Sequence, residues 1–70
     1  MEAKVYRTIN GICVEVEKQR ATEVADLLNA TNFVEVTEIT FHLALPTAKI
    51  IMYELYEDSK DKVINYLKTL

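Results

Sequence analysis

Glu15 and Glu17 stand two residues apart in ICVEVE (12–17), and Glu54 lies within a comparable run, KIIMYELY (49–56). Residues two apart on a strand share a face, so the first pair lies roughly 6–7 Å apart, with Glu54 expected near them on a neighbouring strand. Three carboxylates so placed could tune one another's pKa or hold a divalent cation. Acid–base work also needs a pocket, which an open sheet does not offer. The expected role is therefore that of a solvated rim, with Lys4 as a cross-strand partner of Glu17. His42, the sole histidine, could be a ligand, a base or a pH-sensitive interface residue. No cysteine or second histidine lies at zinc-ligand spacing. Cys13, the sole cysteine, would need a lowered pKa and a base to act as a nucleophile. Its expected neighbours are Thr8 and the acidic Glu15, which work the other way, so it reads as a small interface residue. Tyr6, Tyr53, Tyr56 and Phe41 could stack bases on an RNA-binding sheet. Phe41 and Tyr53 are expected in the core, however, and glutamates on the remaining face repel phosphates. Gly11, the only glycine, supplies no phosphate-binding loop. No catalytic, metal or cofactor grouping emerges, and the chain is not expected to be an enzyme.

Composition narrows the function classes further. Eight basic against eleven acidic residues give a formal net charge of −3, which disfavours a phosphate-binding surface. No nucleic-acid partner is expected. No apolar run approaches the ~18 residues of a membrane span, and MEAKVYRTING lacks the apolar stretch of a signal peptide. A membrane is not expected as a partner. One cysteine excludes an internal disulfide, so a reducing, cytoplasmic setting is expected. Seventy residues, half of them hydrophobic, make a single domain spanning 1–70, whose stability is thin without staples or self-association.

These side chains must be positioned by short elements. KVYRTI (4–9) and ICVEVE (12–17) flank Asn10 and Gly11, the strongest short-range hairpin signal. A type I′ turn there pairs Ile9 with Ile12, Arg7 with Val14 and Val5 with Val16. It points Arg7 towards the helices, to pair with Asp26 or another acid or to snorkel. In KQRATEVADLLNAT, Ala21, Val24, Leu27, Leu28 and Thr31 follow the spacing of one helix face, with residues 29–32 as the exit. In FVEVTEITFHLAL (33–45) the apolar phase switches near Thr37 and Glu38, which a β-bulge would repair; alternatively 33–36 is a connecting segment. Pro46 ends this strand and KIIMYELY forms the next. The tail reads as a helix capped by Asp58 or Ser59, with Val63, Ile64, Leu67 and Leu70 as its stripe.

The order is ββαββα. A shift of 39 residues lays Ile12 on Ile51, Val14 on Tyr53, Val16 on Leu55, Val24 on Val63 and Leu28 on Leu67, as if the chain were two ββα halves. A three-residue loop at 46–48 would then pair Leu43 with Ile51, Phe41 with Tyr53 and Ile39 with Leu55, directing all the large odd-numbered residues to one face. The expected fold is an α+β two-layer sandwich with a four-stranded, mainly antiparallel sheet in the order 1-2-4-3. Both helices cover one face, and the strands preceding them lie side by side and parallel. The fold resembles a circularly permuted ferredoxin-like sandwich, and that resemblance concerns fold alone.

The helix-free face of such a sandwich would hold Tyr6, Cys13, Glu15, His42, Ile50, Met52, Glu54 and Tyr56. An apolar centre within a polar rim is the anatomy of an interaction surface. The function expected is a small non-catalytic protein–protein interaction module: a dimeric regulator, adaptor or inhibitor. It would pair with a second copy, with another protein, or with both. Small acidic proteins of this kind, encoded by phages or mobile elements, could block a host protein. The alternative is a regulatory domain sensing a small metabolite at a dimer interface, with RNA binding or an enzyme subunit behind it. The prediction is specific: Ile50 and Met52 face outward, and Tyr53 packs under the helices.

Overall fold

The computed structural model describes residues 1–70. Its elements run β1 (Lys4–Thr8), β2 (Gly11–Glu17), a 3₁₀ turn (Lys18–Arg20), α1 (Ala21–Asn29), β3 (Val34–Phe41), β4 (Thr47–Glu54) and α2 (Ser59–Leu67). The first hairpin turns through Ile9 and Asn10, with Thr8 opposite Gly11, Arg7 opposite Ile12 and Val5 opposite Val14. This is two residues away from the pairing that a type I′ turn on Asn10 and Gly11 would give. An even slip leaves every side chain on its expected face, so Val5 and Arg7 still share a side with Ile12 and Val14. The turn is not type I′, because the only positive φ in the chain belongs to Asn32, at 68°. Gly11 is required for a different reason. A Cβ there would stand 2.1 Å from the Met52 carbonyl oxygen, so β4 can close on β2 only because that position has no side chain.

The four strands form one sheet in the order β1-β2-β4-β3. Its neighbours are antiparallel throughout. The layers and strand order are those expected, but the central pair, β2 and β4, is antiparallel rather than parallel. Helix α1 carries the chain back along the sheet, so β3 starts where β2 started and runs parallel to it. The hairpin then returns β4 down the gap between them, giving a split βαβ arrangement. No helix is long and apolar enough to cross a membrane.

The core joins Ile12, Val14, Val16, Val34, Ala48, Ile50 and Met52 of the sheet to Ala21, Val24, Ala25, Leu28, Val63 and Leu67 of the helices. Burying each larger side chain contributes about 1.5–3 kcal/mol. The helix stripes fall where their spacing puts them, and Asp58 is the N-cap position of α2. The bulge in β3 occurs between Val36 and Glu38, at the point where the apolar phase switches. Thr37 Oγ1 donates to the Ile51 carbonyl across it (3.2 Å).

The parity of β4 is opposite to expectation. Ile39 pairs with Ile50 and Phe41 with Ala48, because the connection occupies 42–46 rather than 46–48. The register moves by an odd number of residues, and an odd slip flips every side chain. Ile50 and Met52, expected on the open face, are fully buried beneath the helices, while Tyr53 is 49 % exposed. The lengths of the elements explain the choice. The nine-residue helices are about 13 Å long, whereas the eight-residue β3 and β4 span about 26 Å. Two short helices cover the middle of the sheet, where Ala48, Ile50 and Met52 fit. Bulky Phe41 and Tyr53 are left largely uncovered. The apparent repeat therefore holds between the helices, where Val24, Val63, Leu28 and Leu67 are all buried, and fails by one residue between the strands.

Candidate interaction face

Strand alternation presents Tyr6 and Lys4 of β1, Cys13, Glu15 and Glu17 of β2, Lys49, Ile51 and Tyr53 of β4, and Glu35, Glu38 and Thr40 of β3 on the side away from the helices. At its centre Cys13 lies between its cross-strand neighbours Tyr6 and Ile51. Those larger side chains leave it 1 % exposed although no helix covers it. The Tyr6 hydroxyl donates to Glu15 Oε1 (3.1 Å), and Thr47 Oγ1 donates to Glu15 Oε2 (3.5 Å). The Cys13 thiol beside it, burial, and the Glu15 carboxylate together, in that order of weight, hold the Tyr6 phenol protonated well above its ordinary range. This is a locked polar–aromatic cluster rather than an activated one: Tyr6 is a poor proton donor and Cys13 is sealed from reagents.

Tyr6, Cys13 and Glu15 stand on the open face as expected. The other expected members do not. Ile50 and Met52 belong to the core. His42 lies past the end of β3 in the connection to β4, exposed rather than opposite Met52. Glu54 is on the helix side of β4, where it forms an ion pair with Arg7. The three carboxylates Glu15, Glu17 and Glu54 therefore do not converge. Arg7 is on the helix side, as its register implied, and finds Glu54 rather than Asp26. Tyr56 lies beyond the end of β4, with the Lys62 ammonium 4.9 Å from its ring centroid. The residues that sequence reasoning missed are Ile51 and Tyr53. IIMYELY is apolar in both phases, so a signal for two faces was present, but not for which phase faced out.

The open face thus keeps an apolar centre, made of Tyr6, Cys13, Ile51 and Tyr53. Its rim bears Glu15, Glu17, Glu35 and Glu38 against Lys4 and Lys49, four carboxylates to two ammonium groups. Tyr53 is thereby available to stack, yet the carboxylate excess repels a phosphate backbone.

Two further features lie together at one end of the sheet. The connection 42–46 projects beyond the helices with Leu43 fully exposed and Phe41 and Leu45 about half exposed. Beside it a groove of about 710 Å³ runs between the N-terminal residues, β1, the end of β2 and the last turn of α2. At the other end, Ile9 in the first turn is fully exposed, and Leu55 and Tyr56 are about half exposed. No family model, curated protein or solved structure matches this chain.

Proposed function

We propose that this chain is a small, non-catalytic protein–protein interaction module, a regulator, adaptor or inhibitor, whose helix-free sheet face docks another protein in the cytoplasm. The observation that carries this reading is Ile51 and Tyr53 on the open face of β4, inside a ring of carboxylates. An aromatic anchor in an apolar centre with a charged rim is how interaction surfaces concentrate their affinity. Charge selects the partner class. Two copies of this face brought together would oppose eight carboxylates to four ammonium groups, an arrangement that like-charge repulsion disfavours. A partner offering lysines or arginines around an apolar centre complements it.

A photo-crosslinker placed at position 53 in the source cell tests this. The same group at Asn65, exposed on α2, is the control. Capture of a defined protein from position 53, lost in the Ile51→Glu variant and weakened by salt, supports the reading. Loss of about 30-fold in affinity is expected for such an anchor position. Capture from position 65 alone, or capture indifferent to Ile51→Glu, rules the face out.

A further inference from the structure

We infer that the chain also pairs with a second copy of itself, the tip of the β3–β4 hairpin of each copy entering the groove of the other. This contact shares Lys4, Glu15 and Glu17 with the rim of the sheet face but leaves the apolar centre of that face, Tyr6, Ile51 and Tyr53, uncovered.

The tip is an apolar knob held in shape. Residues 41–46, FHLALP, carry no acidic, lysine or arginine side chain. Leu43 at its apex is fully exposed, with Phe41 and Leu45 at its flanks. The tip is braced from β2's side of the molecule. The Lys18 ammonium donates to the Leu43 carbonyl (3.3 Å) and the Lys18 amide to the Pro46 carbonyl (3.2 Å). Within the tip, the Leu45 amide donates to the His42 carbonyl (3.2 Å). A preorganised knob loses little further freedom when it docks.

The groove is the matching hole. Its apolar lining includes Ala3, Val5 and Ile64, and its rim carries Glu2, Glu15 and Glu17 against Lys4 and Lys68. The near-balanced rim neither repels nor strands an uncharged knob. Thr47 lines the groove and is the first residue of β4, immediately after the tip, so knob and hole adjoin at the same end of the molecule. A two-fold axis passing between them seats both tips at once, which gives a closed, isologous dimer. The competing self-pairings are less favourable. The sheet face has its carboxylate excess. The β3 edge is blunted by its bulge and by Asn29 Oδ1, which accepts the Val36 amide (3.0 Å). Three apolar side chains exchanged twice make a small interface, so a dissociation constant on the order of micromolar is expected.

Sedimentation equilibrium of the full chain from about 1 µM to 1 mM tests this. A monomer–dimer equilibrium is expected, weakened at least ~30-fold by Leu43→Asp. That side chain touches solvent only, so the variant keeps the wild-type circular dichroism. Ala3→Arg, with Ile64→Glu as a second groove variant, weakens it similarly. An equimolar mixture of Leu43→Asp with Ala3→Arg regains dimer, because one intact tip meets one intact groove. Tyr53→Glu leaves the dimer unchanged. The inference fails if the wild type stays monomeric at the highest concentration, if Leu43→Asp dimerises normally, if the mixture recovers nothing, or if Tyr53→Glu dissociates the dimer. None of these outcomes bears on crosslinking at position 53, so the two proposals stand or fall separately.

Discussion

Tyr6, Cys13 and Glu15 show how a polar group can be made part of a sheet's stability rather than of a reaction. The Tyr6 phenol sits between a thiol and a carboxylate, both of which oppose its ionisation. The unfolded chain ionises this tyrosine near its ordinary value of 10.0, and the folded chain ionises it only well above that. The stabilisation is fully present below pH 10 and is lost as pH rises from there through the folded value. Urea midpoints of Tyr6→Phe should therefore fall less steeply above about pH 10 than those of the wild type. At pH 7 the variant should lose about 0.5–1.5 kcal/mol, the worth of the hydrogen bond to Glu15. Equal slopes in the two proteins would show that Tyr6 ionises freely in the folded state.

Strand β4 decides which side chains are structure and which are surface. Its two phases are both apolar, Ala48, Ile50 and Met52 against Ile51 and Tyr53, with Leu55 just past its end, so alternation cannot choose between them. The phase switch in β3 and the stripes of α1 and α2 were legible because each is a break or a period within a single element. The helix stripe at Ala21, Val24 and Leu28 needs only a 3.6-residue repeat to be recognised. The register of β4 depends on where the connection ends, and HLALPTA (42–48) gives no turn residue that fixes it. Gly11 was legible as a turn signal but serves as a gap for the Met52 carbonyl, a contact made across the sheet. Two substitutions read the phase directly. Met52→Ala should cost about 2–5 kcal/mol in urea denaturation, as a core truncation. Ile51→Ala should cost about 1 kcal/mol or less, as a change on the open face. The reverse ranking would return the odd phase to the core.

For the whole molecule, the main fact is that the sheet is longer than the helices that cover it. The middle is closed by a core of thirteen buried residues, and the ends expose Ile9, Phe41, Leu43 and Leu55. One polar side chain ties the layers together where three segments meet. Ser59, fully buried at the start of α2, donates to the Phe33 carbonyl (2.7 Å) and accepts the Tyr56 amide (2.9 Å). The ring of Phe33 in turn meets Tyr66 of α2 edge-on at 6.4 Å. Ser59→Ala takes away the Tyr56 amide's acceptor, while the Phe33 carbonyl keeps the Leu55 amide (3.2 Å), and should cost about 0.5–1.5 kcal/mol. Hydrogen exchange should show α2 and the start of β3 loosening together. Loosening confined to α2 would mean that the hydroxyl does not join the layers.

The amino-acid sequence by itself determined the ββαββα order, both helix faces, the phase switch near Thr37 and Glu38, and the presence of a second apolar face on the last strand. These follow from local periodicity and from residues whose backbone preferences act within a few positions. Only the tertiary structure decided that Ile50 and Met52 lie inside while Ile51 and Tyr53 lie outside, and that β2 meets β4 antiparallel. The first depends on how far two short helices reach over a longer sheet, and the second on α1 returning the chain so that β3 runs parallel to β2 and β4 comes back between them. A strand apolar in both phases takes whichever register places the side chains those helices can cover in the core.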